Sequence, residues 1–169
     1  MDFRSKIAGE VPHLRRFARA LAGDAALADD LVQDCIERAL RKQHLFDETR
    51  KLRTWLFAIL RNLYISGLRR NPKGATVKSV DEMMSGEDAV KPEQEIRLAL
   101  SEIALALDRL PAAHREVLLL VALEELSYRE VAEIIGVPIG TVMSRLSRAR
   151  GSLRAMLEEG DATNLRRIK

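Results

Sequence analysis

The segment from Ser127 to Arg150 most constrains the fold of this chain, because it reads as a helix, a tight turn and a second helix. Ala132 lies where the two helices would cross, and a larger side chain there would hold them apart. Gly136 follows one turn later, where a left-handed backbone is needed to end the first helix. The second helix carries an apolar stripe at helical spacing, formed by Val142, Leu146, Ala149 and Leu153. This spacing predicts a helix-turn-helix.

The other face of the second helix is polar and basic. Between Gly140 and Arg150 there are three arginines and no acidic residue. Such a helix can approach phosphates and present guanidinium groups to guanine edges in the major groove. The side chains predicted to point outward are Thr141, Ser144, Ser147 and Arg148, flanked by Arg145 and Arg150. An amphipathic hairpin with a solvated basic face is the simpler alternative, but the fixed spacing favours a helix in a DNA groove.

Composition predicts helices throughout the chain. The sequence is rich in Leu, Ala, Arg and Glu and holds one tryptophan, two tyrosines and four phenylalanines. No β-like alternation of useful length appears. A chain of 169 residues fits one medium domain or two small ones, and the net charge of +3 is too small to indicate nucleic-acid binding by itself.

Hydrophobic periodicity divides the chain into two helical units. Helices are expected at about 5–22, 25–43 and 51–70, followed by a Gly-, Ser- and acid-rich stretch without sustained periodicity. A second unit begins near Glu95 and contains a buried helix at 117–123 before the helix-turn-helix. We therefore predict an all-α fold of two small domains, at 1–72 and 95–160, with a flexible acidic linker at 73–94 and a C-terminal tail at 161–169. A flexible linker leaves the relative placement of the domains open.

Several classes of function find little support in the sequence. Cys35, the only cysteine, lies on an apolar stripe and is expected in the core. The three histidines, His13, His44 and His114, lie far apart with no neighbouring cluster of metal ligands. No cofactor or metal is implied, and no set of nucleophile, base and orienting group can be assembled, so an enzyme is the least supported class. The N-terminus lacks an apolar segment and the longest apolar run is too short to span a bilayer. We therefore expect a cytoplasmic protein without membrane insertion.

The second predicted helix carries an acidic ridge. Its apolar stripe is expected to consist of Leu27, Leu31, Cys35 and Ala39. The side chains expected to point outward, which we call the acidic ridge, are Asp30, Gln33, Asp34 and Glu37. This ridge would repel DNA, so in a DNA-binding protein it indicates contact with a basic protein surface. A solvated helix face is the alternative.

The third predicted helix mixes aromatic and basic residues. Its apolar face is centred on Leu52, Trp55, Ile59 and Leu63, which places Trp55 in the core. Another side carries Phe57, Arg61 and Tyr64, and the ends carry Lys51, Arg53, Arg69 and Arg70. Bases could stack on these rings while the cations hold phosphates, although Phe57 and Tyr64 could equally pack on the first helix. Phe46 lies in the polar loop before this helix, where an exposed ring could support a flipped base.

These segments together resemble a known family. The sequences at 28–34, 52–62 and 110–150 are similar to bacterial RNA polymerase sigma factors of the extracytoplasmic-function (ECF) group. In that family the first segment binds core RNA polymerase, the second melts and reads the −10 promoter element, and the third reads the −35 element. The sequences at 42–46 and 117–124 are similar to those of family members that control the general stress response of α-proteobacteria.

The resemblance implies partners and residue roles. Asp30, Gln33 and Asp34 would contact core RNA polymerase, and Phe46 with Asn62 would capture an unpaired −10 base. Duplex −35 DNA would lie against Thr141, Ser144, Arg145 and Arg148. Met143 stands where many relatives carry a basic residue, and Ser147 where others carry a larger one. An anti-sigma factor that wedges between the domains is a further expected partner. A stand-alone helix-turn-helix regulator is the alternative function, but it would leave the acidic ridge and the third helix unexplained.

Overall fold

The computed structural model describes residues 2–70 and 94–167, and within these ranges it contains helices and no strands. The helices of the N-terminal domain are α1 (Phe3–Ala22), α2 (Ala25–Arg41) and α3 (Leu52–Arg70), with a 3₁₀ turn at Gln43–Leu45. The helices of the C-terminal domain are α4 (Gln94–Arg109), α5 (Ala112–Ala122), α6 (Tyr128–Ile135) and α7 (Ile139–Arg167). The prediction of an all-α fold with two helical domains is confirmed. Apart from Gln94, the predicted linker lies outside the described residues.

A two-residue connection turns α1 into α2. Gly23 has a φ of 66°, in the left-handed region that ends a helix, and its amide donates to the carbonyl of Arg19. Asp24 then caps α2, because its carboxylate accepts a hydrogen bond of 3.0 Å from the amide of Leu27. The two helices therefore pack against each other directly after the turn.

The core of the N-terminal domain lies among α1, α2 and α3. Phe17 and Phe57 are fully buried with ring centroids 5.2 Å apart. Cys35 is also fully buried, as predicted, and its thiol donates to the carbonyl of Leu56 at 3.4 Å. Burial raises the pKa of this thiol to about 12. Cys35 is therefore a packing residue with little thiolate to react.

The predicted buried face of α3 is wrong. The residues that the structure buries are Thr54, Leu56, Phe57, Leu60 and Tyr64. Leu52, Trp55, Ile59 and Leu63 are only partly buried and pack against the margin of the core. The reason is that α3 packs on α1 and α2 and also on α6, so apolar side chains surround most of the helix. Periodicity alone cannot choose among several apolar faces.

The helix-turn-helix forms as predicted. Ser127 and Glu130 form a capping box at the start of α6. Gly136 ends α6 with a φ of 75°, and its amide donates to the carbonyl of Ala132 at 2.9 Å. In α7 the predicted stripe faces inward, with Val142 and Ala149 fully buried. α7 then continues to Arg167, so the backbone of the predicted tail is helical over most of its length.

The two domains pack against each other. α1 contacts α5, and α3 contacts α6. Tyr64 and Arg115, one from each domain, both donate to the carbonyl of Leu21 at the end of α1, at 3.1 and 3.4 Å. The sequence did not predict the relative position of the two domains, and in this structure they are in direct contact.

Candidate DNA and polymerase interfaces

The outer face of α7 presents polar and basic groups. Ser144, Ser147 and Arg148 are exposed, whereas Thr141 and Arg145 are half-buried at its edges. The hydroxyl of Ser144 donates to the carbonyl of Thr141 at 3.1 Å. All five predicted −35 residues thus lie on one helix, on or beside the face opposite its buried stripe. This is the geometry of a recognition helix.

An apolar side chain stands out beside this face. Met143 is 52% exposed and lies next to Ser144 on α7. It lines an open groove of about 340 Å³ whose other walls include Tyr128, Arg150 and Arg154. The recognition face therefore combines hydroxyls and guanidinium groups with one exposed thioether, which can contact the methyl group of thymine.

The acidic ridge is exposed on α2 as predicted. Asp30, Gln33, Asp34 and Glu37 all lie at the surface, while Leu31, Cys35 and Ala39 are buried on the opposite side. Within the ridge the amide of Gln33 donates to Glu37 at 3.1 Å. The carboxylates of Asp30 and Asp34 remain open to a basic partner.

Phe46 belongs to an aromatic cluster that the sequence did not predict. Its ring centroid lies 5.1 Å from that of Trp55 and 5.7 Å from that of Phe3, in tilted arrangements. Phe46 is half-buried as a result, and the neighbouring Leu45 is 62% exposed. The cluster fixes the loop before α3, so one face of Phe46 is held at the surface by two other rings.

Three cations predicted to bind −10 DNA already have partners. Arg53 donates to Glu10 within its own domain at 2.7 Å. Lys51 and Arg61 pair with Glu130 and Glu116 of the C-terminal domain. Three other predicted residues of this helix are exposed: Asn62, Arg69 and Arg70.

The prediction that Tyr64 stacks on a base does not fit this structure. Tyr64 is 6% exposed and its hydroxyl donates to the carbonyl of Leu21. Burial raises the pKa of Tyr64. Phe57 is also buried, so the alternative in which both rings pack on α1 is the one that forms. The reason is that a large ring gains more by filling the core than by remaining in water.

A network around Glu124 was missed by the sequence analysis. The side chain of Glu124 is fully buried and accepts from the guanidinium of Arg16 at 2.8 and 3.0 Å. The ring of His13 lies 3.1 Å from the same carboxylate. The hydrogen bond with Glu124 raises the pKa of Arg16. One sequence signal existed, because an acidic residue directly follows the apolar run that was predicted to be buried.

Glu130 has two roles at the start of α6. Its carboxylate accepts from the amide of Ser127 at 2.9 Å in the capping box and lies 2.8 Å from the amine of Lys51. Burial alone would raise the pKa of Glu130, but the hydrogen bonds from Lys51 and Ser127 hold it at about 2. Glu130 is therefore a fixed negative charge facing α3.

The fold and these surfaces define a two-domain helical DNA-binding protein, and comparison with known proteins identifies its family. Residues 7–61 match the model of the Sigma2 domain of PhyR, and residues 100–153 match Sigma-70, region 4. The chain is 41% identical over 156 residues to the ECF RNA polymerase sigma factor EcfG of Rhodopseudomonas palustris, covering 92% of this chain and 85% of that protein. It is 36% identical over 147 residues to the ECF RNA polymerase sigma factor SigL of Mycobacterium tuberculosis, covering 86% and 83%.

A solved structure agrees with these matches. The sigma factor RpoE from Bartonella quintana, crystallised in complex with the anti-sigma factor NepR, superposes with a TM-score of 0.76 at 36% identity, covering 93% of this chain and 97% of that one. The chain therefore belongs to the ECF family of RNA polymerase sigma factors. Members of this family are transcription initiation factors and not enzymes, and their partners are core RNA polymerase and promoter DNA. Within the described ranges, no helix is both long and apolar enough to cross a membrane.

Proposed function

We propose that this sigma factor contacts core RNA polymerase through the acidic ridge of α2 and reads promoters through α7 and α3. The exposed polar and basic face of α7 on an intact helix-turn-helix is the observation that carries the proposal. Duplex −35 DNA would contact Thr141, Ser144, Arg145, Ser147 and Arg148. In this proposal the N-terminal domain is residues 1–72 and the C-terminal domain is residues 95–160.

The N-terminal domain would hold the melted −10 strand. Its exposed groups for this role are Asn62, Arg69 and Arg70, together with the surface of Phe46. Lys51, Arg53 and Arg61 would join them once their carboxylate partners are exchanged for phosphates. Tyr64 would support α3 from the core and would not touch DNA. The protein carries out no covalent chemistry in this scheme and acts in the cytoplasm, where polymerase and promoter are found.

Control by an anti-sigma factor completes the proposal. The structural relative RpoE binds the anti-sigma factor NepR, and the similarity to EcfG and to the Sigma2 domain of PhyR supports the same kind of control here. The resemblance at 42–46 and 117–124 supports a role in a stress response. Recovery of an inhibitory partner in pull-downs from unstressed cells tests this part, and its absence would contradict it.

Run-off transcription with purified core polymerase tests the main proposal. We expect transcription to depend on this protein. It should fall on all templates with Asp34→Arg, because initiation at every promoter requires the contact between the acidic ridge and core polymerase. Arg148→Ala should lower transcription roughly tenfold on templates that need a −35 element, the effect of losing one base contact. Arg4→Ala and Glu158→Arg are matched controls at exposed positions outside both surfaces. If core polymerase gains no promoter activity while the free protein still shifts duplex DNA, a stand-alone regulator is the better description.

A further inference from the structure

The ion pairs that join the two domains share one polarity. In four of them the base comes from the N-terminal domain and the acid from the C-terminal domain. The pairs are Arg16 with Glu124, Arg50 with Glu133, Lys51 with Glu130, and Arg61 with Glu116. We call Glu116, Glu124, Glu130 and Glu133 the acidic patch of the C-terminal domain. The patch therefore covers one cation of α1, two cations directly before α3 and one in the middle of α3.

The contacts of the acidic patch imitate those of a phosphate group. Both carboxylate oxygens of Glu116 accept from the guanidinium of Arg61, the fork geometry with which arginine also binds phosphate. The side chain of Arg61 is 18% exposed and that of Glu116 is 8% exposed, so water and other anions are largely kept out of this pair. Lys51 meets Glu130 as a point charge meets a phosphate oxygen, at 2.8 Å.

The two charged surfaces of this domain interface can separate in water. Buried carboxylates are costly to desolvate, and apolar residues of similar volume are often at least as stabilising. Charged surfaces that separate recover their hydration, whereas separated apolar surfaces do not. An acidic patch matched to basic partners therefore suits an interface that must form and dissolve repeatedly.

We propose that the acidic patch is an internal competitor for promoter DNA: in the free protein it occupies Lys51 and Arg61, and it leaves α3 when core polymerase separates the domains. The proposal rests on the proposed role of α3 in −10 binding. Its consequence is that the free protein uses Lys51 and Arg61 to bind single-stranded DNA only in the fraction of molecules in which the domains are apart, which lowers the apparent affinity of this full binding mode by that fraction.

Neutralising the patch tests this competition. The double variant Glu116→Gln with Glu130→Gln keeps side-chain size, and glutamine preserves the capping box of α6. A fluorescent single-stranded oligonucleotide carrying a −10 sequence is titrated with free protein. We expect the double variant to bind it about tenfold more tightly than wild type. Glu158→Gln on α7 makes the same change of charge per site at an exposed position, so it should alter the affinity by less than about twofold.

Fluorescence energy transfer measures the opening directly. Dyes are placed on Ser66→Cys in α3 and Ala155→Cys in α7, which are exposed positions outside the patch. Labelling is selective, because Cys35 is buried with a pKa of about 12. We expect transfer to fall in the double variant, and to fall in wild type when core polymerase is added. The wild-type measurement decides the matter even if the double variant folds poorly in circular dichroism.

The outcomes separate this inference from the function on which it rests. Unchanged oligonucleotide affinity in a folded double variant, or unchanged energy transfer on addition of polymerase, would overturn the competition. If wild type still starts run-off transcription in that case, its role as a sigma factor stands. If wild type starts no transcription, the proposed function fails independently of the patch.

Discussion

Gly136 offers a test in which the same chemical change has opposite effects at two positions. A Cβ atom added at Gly136 would meet nothing within 4 Å, so the cost of Gly136→Ala is one of backbone conformation alone. The φ of 75° lies in the left-handed region, which costs a residue with a side chain about 1 kcal/mol or slightly more. Gly9 also has open space, but it lies within helix α1. Gly9→Ala should therefore stabilise the protein by about 1 kcal/mol.

Urea denaturation followed by circular dichroism measures both variants. The two alanine variants should differ by about 2 kcal/mol in the free energy of unfolding, with unchanged slopes. Each change corresponds to about 2–4 °C in Tm for a chain of this size. Gly136→Asn should fall between wild type and Gly136→Ala, because asparagine tolerates the left-handed region better. Equal stability of Gly136→Ala and wild type would refute a left-handed turn between α6 and α7.

Three further predictions concern the core, pH and base reading. Tyr64→Phe loses the hydrogen bond to Leu21 and should lower the free energy of unfolding by about 1 kcal/mol, with unchanged transcription from saturating protein; a promoter-opening defect at unchanged stability would instead place Tyr64 on DNA. The pKa of Glu130 is lowered, so the stability that its charge contributes is complete above the ordinary pKa of 4.5 and disappears as pH falls toward about 2. The difference in urea midpoint between wild type and Glu130→Gln should shrink over that range, and a constant difference would contradict the low pKa. Replacing thymine by uracil in −35 duplexes should weaken holoenzyme binding about fourfold at one position, the value of a buried methyl group. Met143→Ala should abolish that sensitivity, and an equal uracil penalty in both proteins would exclude Met143 as the reader.

Short-range features of the molecule were predictable because they depend on neighbours in sequence. The breaks at Gly23 and Gly136 follow from the backbone that each turn requires. The exposure of the acidic ridge and of the outer face of α7 follows from a single apolar stripe on each helix, since only one rotation of such a helix hides its apolar side chains. These features, with the family resemblance, were enough to indicate two helical domains and their general roles.

The sequence by itself determined which segments are helical, where they turn and which sides of α2 and α7 face water. Only the tertiary structure decided the orientation of α3, because apolar residues surround that helix and its neighbours choose the side that is buried. It also decided that Arg61 meets Glu116 and that Lys51 meets Glu130. The members of each pair lie far apart in the chain and carry no local signal of one another. Their meeting depends on how two finished domains fit together, and their opposite charges then stabilise that fit.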